Sequence, residues 1–229
     1  MVLSLPPVSY EEINFESIRQ LVGADARVIL EIGAHHGSHT AAFLKTFTSA
    51  TIYAFERDPR AIKKFSANIS SPRVHLFKMA IGAIDGEAEF HVSSGLPPGA
   101  DAVAAAAVYP WGWDQSGSLR RPKTHKEKWP WCKFESVITV NVHRLDSWSR
   151  ENAINTVDFI WADMQGAEGD LVSGGQGTLA RTRYLYVEYS NEEIYEGEPT
   201  LEALLGMLPN FSIIKRYPFD VLLRNLNAP

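Results

Sequence analysis

The chain has 229 residues, of which 45% are hydrophobic, and a formal net charge of −5 at pH 7. This length suits one α/β domain with an insertion, and it can bury a sizeable core. The composition excludes a disordered chain and a general nucleic-acid binder, and the single cysteine, Cys132, excludes an internal disulfide.

The N-terminal part has no targeting or membrane signal. No run approaches the roughly 18 apolar residues of a membrane span, and residues 1–15 lack a basic region and a long apolar core. We therefore expect a cytoplasmic protein without membrane contact. We expect one domain over 1–229, in which 1–26 form an arm and a helix. The helix is predicted from Tyr10 to Val22, covering the sheet or closing over a ligand.

The stretch 27–40, RVILEIGAHHGSHT, predicts a strand, a glycine turn and a helix. The aliphatic run 28–32 is typical of a buried parallel strand, and Gly33 and Gly37 bracket a turn where a side chain would block a ligand. Ser38 or Thr40 is the predicted helix cap. This order is typical of the first unit of a nucleotide-binding α/β fold, although glycine turns also connect ordinary strands to helices.

A second strand is predicted over 51–55, and it ends at Glu56, 19 residues after Gly37. A carboxylate about 20 residues beyond the glycine turn is where such units accept hydrogen bonds from ribose hydroxyls. Asp58 and Pro59 then indicate a helix start. A third strand is predicted over 74–77, and Asp85-Gly86 predicts a hairpin between 80–83 and 87–92.

Residues 93–135 show no sustained periodicity, and a segment this long inside a compact domain usually has a function. It contains four of the six tryptophans and a basic cluster, which suggest a face for a ligand with rings, phosphate or carboxylate. Alternatively, the tryptophans form the segment's own small core and the basic residues are solvated. The candidate substrate-binding residues are Trp111, Trp113, Arg120, Arg121, Lys123 and His125.

The remaining elements complete an α/β pattern. A strand over 136–142 leads into a helix start where Asp146 is the predicted cap, and two further core strands are predicted over 159–162 and 184–189. A helix over 199–208 precedes a terminal antiparallel pair, 212–216 with 221–224.

The glycine turn distinguishes two possible cofactors. A dinucleotide site needs G-x-G-x-x-G, whereas this turn is G-A-H-H-G and follows Glu31. A carboxylate there would repel a pyrophosphate but can accept hydrogen bonds, directly or through water, from an ammonium group. S-adenosyl-L-methionine has an ammonium, a ribose and an adenine but no phosphate, so it fits this arrangement better than NAD.

The blocks E-I-G-A-H-H-G and A-F-E-R-D-P resemble the cofactor half of a class I methyltransferase of the FkbM type. Residues 79–82 resemble the family's segment along the adenine, and V-D-F-I-W-A-D-M-Q-G-A-E, 157–168, resembles its I-D-V-E-G-A-E block. Residues 186–188 resemble the strand that follows. The likeness spans Val28 to Tyr189. His36 stands where the family usually has Asn, and Gln165 where it usually has Glu.

This resemblance implies an S-adenosylmethionine-dependent methyltransferase with a Rossmann-like fold. Its central sheet would be mostly parallel, with a C-terminal antiparallel hairpin and an inserted substrate-facing segment. The implied cofactor-binding residues are Glu31, Gly33, Ala34, His35, Gly37, Ser38, Glu56, Arg57, Met79, Ala80, Ile81 and Asp163.

Asp163 is the leading candidate for a catalytic base or acceptor anchor. The tips of the first and fourth core strands should lie side by side, so Asp163 would face the methyl end of the cofactor. It could equally hold the cofactor's ammonium or cap the next helix. The lesser catalytic candidates are Glu188, Gln165, His36 and His125. Two carboxylates on adjacent strands are too common to indicate a metal ion, and we predict none.

The first functional hypothesis is O-methylation of a sugar or another small polar metabolite, which could be phosphorylated or nucleotide-linked. The alternatives are methylation of a nucleic acid or protein, and a cofactor-binding scaffold without catalysis. The net negative charge argues against a nucleic-acid acceptor. The sequence leaves the oligomeric state open.

Overall fold

A computed structural model describes residues 5–10, 13–99, 101 and 109–228. The helices and strands, in chain order, are α1 (Phe15–Val22), β1 (Val28–Ile32), α2 (Ser38–Thr46), β2 (Thr51–Phe55), α3 (Pro59–Asn68), β3 (Val74–Phe77), β4 (Ala80–Gly82), β5 (Gly86–Ser94), α4 (His125–Lys128), β6 (Lys133–Arg144), α5 (Leu145–Glu151), β7 (Val157–Ala162), α6 (Glu168–Gly174), α7 (Gln176–Leu179), β8 (Thr182–Glu188), α8 (Leu201–Met207), β9 (Phe211–Arg216) and β10 (Asp220–Asn225).

The main sheet has seven strands in the order β3-β2-β1-β7-β8-β10-β9. The first five strands of this order run parallel, and β10 pairs antiparallel with both β8 and β9. The chain therefore winds outward from β1 in one direction and then returns to add β7 on the other side of β1. This confirms the predicted mostly parallel sheet, the side-by-side first and fourth core strands, and the C-terminal antiparallel pair.

Both faces of the central strands are covered, which explains their continuous apolar runs. Leu30 of β1 belongs to the core on the side of α5, α6 and α8. Its neighbour Ile29 belongs to the opposite core, together with Ile18 of α1 and Phe43 of α2. Successive side chains of a strand point to opposite faces, so one aliphatic run fills two cores. Helix α1 therefore covers the sheet.

A second, smaller sheet has the strand order β4-β6-β5. The predicted Asp85-Gly86 hairpin is wrong, because β6 lies between β4 and β5 and pairs with both. The Asp85 carboxylate instead accepts hydrogen bonds from the Arg144 backbone N–H at 2.8 Å and from the Ser147 hydroxyl at 2.7 Å. It thus joins the turn to the start of α5.

Three predicted helix starts differ from the structure. Helix α1 begins at Phe15, because the Asn14 side chain accepts a hydrogen bond from the Ser17 N–H at 2.8 Å. Neither Ser38 nor Thr40 caps α2, whose N-cap residue is Gly37. Asp146 lies inside the first turn of α5, and its carboxylate accepts from the Gly177 and Thr178 N–H groups of α7.

None of the helices in the described ranges combines the length and the apolar character that a membrane span requires.

A substitution of Trp148 tests the packing of the core beneath the strands β2 and β3. Its side chain is 1% exposed and makes edge-on contacts with Tyr53, Phe55 and Phe77 at centroid distances of 4.8 to 5.4 Å. Trp148→Ala should lower the free energy of unfolding in urea by about 3–5 kcal/mol, because it leaves a large cavity. The control, Trp111→Ala, removes a ring that is 45% exposed and should cost less than about 1 kcal/mol. Equal losses would contradict this description of the core.

Candidate active site

The carboxyl edge of the main sheet brings the acidic residues together. Ile32 is in register with Phe55 on one side and Ala162 on the other, and Ala162 is in register with Val187. The next residue of each chain segment therefore lies at the same edge. Asp220, the first residue of the antiparallel β10, is paired with Glu188. In strand order, the edge residues are Glu56, Gly33, Asp163, Glu188 and Asp220.

Gly33 allows this edge to close. Its N–H donates to the Phe55 carbonyl at 3.0 Å, and its φ is +90°, in the left-handed region that favours glycine. A Cβ at this position would lie 2.0 Å from the Asp163 carbonyl oxygen. A side chain would therefore separate β1 from β7 at the point where the site begins.

A large cavity of about 610 Å³ opens above this edge. A volume in this range accommodates a small organic ligand or cofactor. The predicted site residues that line it are Gly33, Ala34, His35, Ser38, Glu56, Arg57, Trp113, His125, Asp163 and Gln165. The predicted residues outside its lining are Glu31, His36, Gly37, Met79, Ala80, Ile81, Trp111, Arg120, Arg121, Lys123 and Glu188.

Glu56 is buried in the wall of the large cavity and organises the backbone around it. One carboxylate oxygen accepts from the His35 N–H at 2.7 Å, and the other accepts from the N–H groups of Arg57 and Asp58 at 2.7 and 2.8 Å. A carboxylate oxygen has two acceptor positions, so the oxygen that accepts only from His35 can still accept a ligand hydroxyl.

Glu31 lies behind the turn and not in the cavity wall. It is fully buried, and it accepts a hydrogen bond from the Thr40 hydroxyl of α2. Its second oxygen, Oε1, has no hydrogen-bond partner in the described part of the chain. Burial raises the pKa of the Glu31 carboxyl to about 8.

The predicted adenine segment lines a separate narrow crevice. Met79, Ala80 and Ile81 face a space of about 10 Å³, which is nearly filled by side chains. Gly33 and Arg57 line both this crevice and the large cavity. The crevice is therefore a side arm of the same site, with mostly apolar walls.

His35 and His36 hold the insertion through Asp114. The Nε2 atoms of the two stacked rings lie 2.7 and 2.8 Å from the two oxygens of the Asp114 carboxylate, which is buried. Burial lowers the pKa of His36. Burial alone would raise the pKa of Asp114, but hydrogen bonds and charge interactions with the two histidines outweigh it and lower that pKa.

These three side chains also form a candidate metal-binding group within the described part of the chain, since their ligand atoms lie within 4.8 Å of one another. The metal site considered from sequence involved Asp163, Glu188 and a histidine, which is a different set. The absence of a metal ion stays a prediction.

Gln165 connects the two acidic strand ends. Its side-chain nitrogen donates to Asp163 at 2.7 Å and to Glu188 at 3.0 Å. Its own φ is +56°, and its carbonyl accepts from the Ser118 hydroxyl of the insertion at 2.6 Å. The Tyr195 hydroxyl lies 3.1 Å from the Gln165 amide oxygen. Burial and the Asp163 charge raise the pKa of Glu188 well above its ordinary value.

A side cavity of about 400 Å³ lies on the other side of Gln165. Asp163, Gln165 and Trp129 line both this cavity and the large one. The remaining residues that line the side cavity are Trp161, Tyr186, Glu188, Tyr189, Ser190, Ile194, Tyr195, Glu198, Phe219 and Asp220.

Two tryptophans of the insertion pack together and also line a cavity, and their role in ligand binding stays a prediction. Trp113 packs edge-on against Trp131 at a centroid distance of 5.2 Å, and both rings line the large cavity. They therefore form a small aromatic core and a cavity wall at once. Trp111 is 45% exposed, outside both linings, and its ring lies under the Lys63 ammonium at 5.0 Å.

The basic candidates of the insertion do not face either cavity. Arg120 pairs with Asp170 at 2.5 Å, and Lys123 pairs with Glu193. Arg121 lies 4.0 Å from Glu89, and both of these side chains are about two-thirds exposed. These residues link the insertion to neighbouring elements.

Sequence reasoning did not identify several residues of the site. Asp114, Ser116 and Gly117 line the large cavity from an aperiodic segment, and Tyr195, Glu198 and Asp220 line the side cavity. No spacing or motif marks them, because they reach the site only through contacts between distant parts of the chain. For Asp220, the one signal in the sequence was a carboxylate directly before the predicted strand 221–224.

A parallel sheet that is doubly wound around β1, a glycine turn after β1 and a carboxylate after β2 define a class I S-adenosylmethionine-dependent methyltransferase. The chain belongs to the FkbM methyltransferase family, since the model of the methyltransferase FkbM domain matches residues 31–217. The 2-O-methyltransferase NoeI of Sinorhizobium fredii (strain NBRC 101917 / NGR234) is 41% identical over 224 residues, which cover 96% of this chain and 87% of that protein.

Solved structures show weaker similarity. An rRNA methylase from Streptococcus thermophilus is 14% identical with a TM-score of 0.47, over 92% of this chain and 93% of that one. The N-terminal domain of EvdMO1 with SAH bound is 11% identical with a TM-score of 0.45, over 94% and 82% of the two chains. Similarities at this level do not bear on ligand or acceptor.

The buried Glu31 gives a prediction for stability. Its raised pKa means that the folded state binds more protons than the unfolded state between about pH 4.5 and pH 8, so its contribution to stability is lost as the pH rises through that window. Glu31→Gln removes this titration. From pH 5 to pH 9, the free energy of unfolding of the variant relative to wild type should rise by roughly 2–4 kcal/mol.

Urea unfolding at several pH values measures this difference. Glu87→Gln, which changes an exposed carboxylate, is the matched control and should leave the pH dependence unchanged. If the free energies of unfolding of Glu31→Gln and wild type fell in parallel as the pH rises, the conclusion that Glu31 is buried and protonated would be wrong.

Proposed function

We propose that the chain transfers a methyl group from S-adenosylmethionine to a hydroxyl of a sugar or a related small polar metabolite. The observation that carries this proposal is that the two cavities adjoin at Asp163, Gln165 and Trp129, which line both. A methyl donor in the large cavity and an acceptor in the side cavity would therefore meet at Asp163. The similarity to a 2-O-methyltransferase supports oxygen as the methylated atom.

The large cavity fits the cofactor. Glu56 can accept a hydrogen bond from a ribose hydroxyl, and Gly33 and Ala34 present backbone without bulky side chains. The crevice at Met79, Ala80 and Ile81 is mostly apolar and shares Gly33 and Arg57 with the large cavity, so we place the adenine there, which requires the walls of this space of about 10 Å³ to move apart. The cofactor supplies an electrophilic methyl group on a sulfonium.

We assign Glu31 a positioning role. Its contact with Thr40 holds the first turn of α2 against β1, and that turn carries the cavity residues Ser38 and His39. In this proposal Glu31 therefore supports the turn from behind, and it does not accept a hydrogen bond from the cofactor's ammonium as the sequence suggested.

Asp163 is the proposed base. A hydroxyl is a weak nucleophile at neutral pH, and a carboxylate that accepts its proton during transfer contributes about 10²–10⁴-fold. The Gln165 side-chain amide donates one hydrogen bond to Asp163 and another to Glu188, so it holds both side chains in place. Burial and the Asp163 charge raise the pKa of Glu188, which favours its neutral form, so we assign the base role to Asp163 and not to Glu188. The remaining contribution is alignment of acceptor and methyl at roughly 3–3.5 Å.

Calorimetry with S-adenosylhomocysteine tests the cofactor site. Glu56→Ala should weaken binding about 10- to 100-fold, because it removes a hydroxyl contact to a carboxylate and the hydrogen bonds that hold the His35, Arg57 and Asp58 backbone around the ligand. Glu87→Ala, at an exposed glutamate, should bind as wild type does. A melting curve of each variant separates lost binding from lost folding. Absence of binding by folded wild type, or unchanged binding by Glu56→Ala, would overturn the cofactor placement.

A pair of isosteric substitutions tests the base. Asp163→Asn should lower kcat about 10²–10⁴-fold in a methyl-transfer assay with labelled S-adenosylmethionine and a panel of methyl glycosides. Glu188→Gln should stay within about threefold of wild type, because a protonated carboxyl and an amide are similar in charge and shape. Affinity for S-adenosylhomocysteine is the control for both variants. A loss in Glu188→Gln as large as that in Asp163→Asn would assign the base role to Glu188 instead.

A further inference from the structure

The side cavity has an unusual distribution of charge. Four carboxyl groups line it, and none of its lining residues in the described part of the chain is lysine, arginine or histidine. The four groups are those of Asp163, Glu188, Glu198 and Asp220. A phosphate placed in this cavity would meet carboxyl groups without a compensating cation, which is unfavourable at the low dielectric of a half-enclosed site.

Three basic residues of the insertion are engaged in ion pairs outside the side cavity. Arg120 and Lys123 are paired with Asp170 and Glu193, and the Lys128 ammonium lies 2.5 Å from Glu192. Each of these pairs joins the insertion to a segment that follows β7. Withdrawing them to bind an anionic acceptor would break the contacts that hold the insertion over the site.

The aromatic residues of the side cavity are arranged by depth. Trp129 and Phe219 are 37% and 64% exposed, whereas Trp161, Tyr186 and Tyr195 are nearly inaccessible to solvent. The cavity is thus lined by two exposed aromatic rings and by three buried ones. Aromatic faces bind the apolar C–H faces of a sugar ring, while the sugar's hydroxyl groups remain free for hydrogen bonds.

The carboxyl groups complete this chemistry. Burial raises the pKa of Asp220 to about 7, and it also raises the pKa values of Glu188 and Glu198. A protonated carboxyl both donates and accepts hydrogen bonds, so it can pair with a hydroxyl in either direction. Asp163, at the boundary with the large cavity, would meet the hydroxyl that is methylated.

We infer that the side cavity binds an uncharged sugar, stacked on Trp129 and Phe219 and hydrogen-bonded by the carboxyl groups, and that phosphorylated and nucleotide-linked sugars are rejected. This inference rests on the proposed function and makes its acceptor specific. It also argues against a nucleic-acid acceptor, whose phosphates would face the same carboxyl groups.

The experiment is a binding titration of the full chain saturated with S-adenosylhomocysteine, followed by intrinsic tryptophan fluorescence and by calorimetry. The probes are methyl glucoside, methyl mannoside and methyl galactoside, each compared with the corresponding hexose 6-phosphate and with the uridine-diphosphate hexose. At least one glycoside should bind saturably, and its charged counterparts should bind at least tenfold more weakly. Binding of S-adenosylhomocysteine is verified first. If S-adenosylhomocysteine itself does not bind, that result counts against the proposed function and not against the choice of sugar.

Two variants make the test specific. Phe219→Ala removes an exposed ring and should weaken glycoside binding about fivefold or more, while Tyr10→Ala removes a ring that is 86% exposed and outside the cavity lining and should have no effect. At pH 8.5, where Asp220 with a pKa of about 7 is mostly ionised, Asp220→Asn should reduce the discrimination against the phosphates, because it removes a negative charge. A merely structural role of Asp220 would weaken both ligand classes equally.

The inference is overturned if a phosphorylated or nucleotide-linked sugar binds as tightly as its uncharged counterpart. It is also overturned if the cofactor-loaded protein shows no saturable response to any glycoside. In either case, intact binding of S-adenosylhomocysteine leaves the methyltransferase assignment unchanged.

Discussion

The register of the parallel strands is the constraint on which the site depends. Because Phe55, Ile32, Ala162 and Val187 are neighbours across the sheet, the residues that follow them converge at one edge. Hydrogen bonds between strands fix this alignment, and the two cores on the faces of the sheet hold it in place. A shift by one residue would turn the acidic side chains into the cores, so fold and site are specified by the same pairing.

This convergence creates an electrostatic problem that the chain solves locally. Asp163 and Glu188 lie at adjacent strand ends, where two ionised carboxylates would repel each other. The Gln165 amide donates to both, and the raised pKa of Glu188 favours its neutral form. The glutamate that is usual at position 165 in this family would add a third carboxyl here. Glutamine therefore suits a site in which one carboxylate stays ionised and its neighbour is neutral.

The insertion is an integral part of the cavity. Asp114 is held by the histidines of the glycine turn, the Gly117 carbonyl accepts from the Arg57 guanidinium at 2.7 Å, and the Ser118 hydroxyl donates to the Gln165 carbonyl. These contacts fasten 114–118 to the loops after β1, β2 and β7. Residues 114–118 of this segment, which looks irregular in the sequence, are thus held by hydrogen bonds to the motifs that identify the family.

The sequence by itself determined the features that depend on neighbouring residues: the aliphatic strands, the glycine turn after β1, the carboxylate after β2 and the family's blocks. Only the tertiary structure decided which side chains face a cavity. It placed β6 between β4 and β5, Glu31 behind the turn, and Asp114 on histidines 78 and 79 residues away. The physical reason is that strand pairing, burial and ion pairing join segments far apart in the chain, whereas periodicity and spacing describe only local geometry.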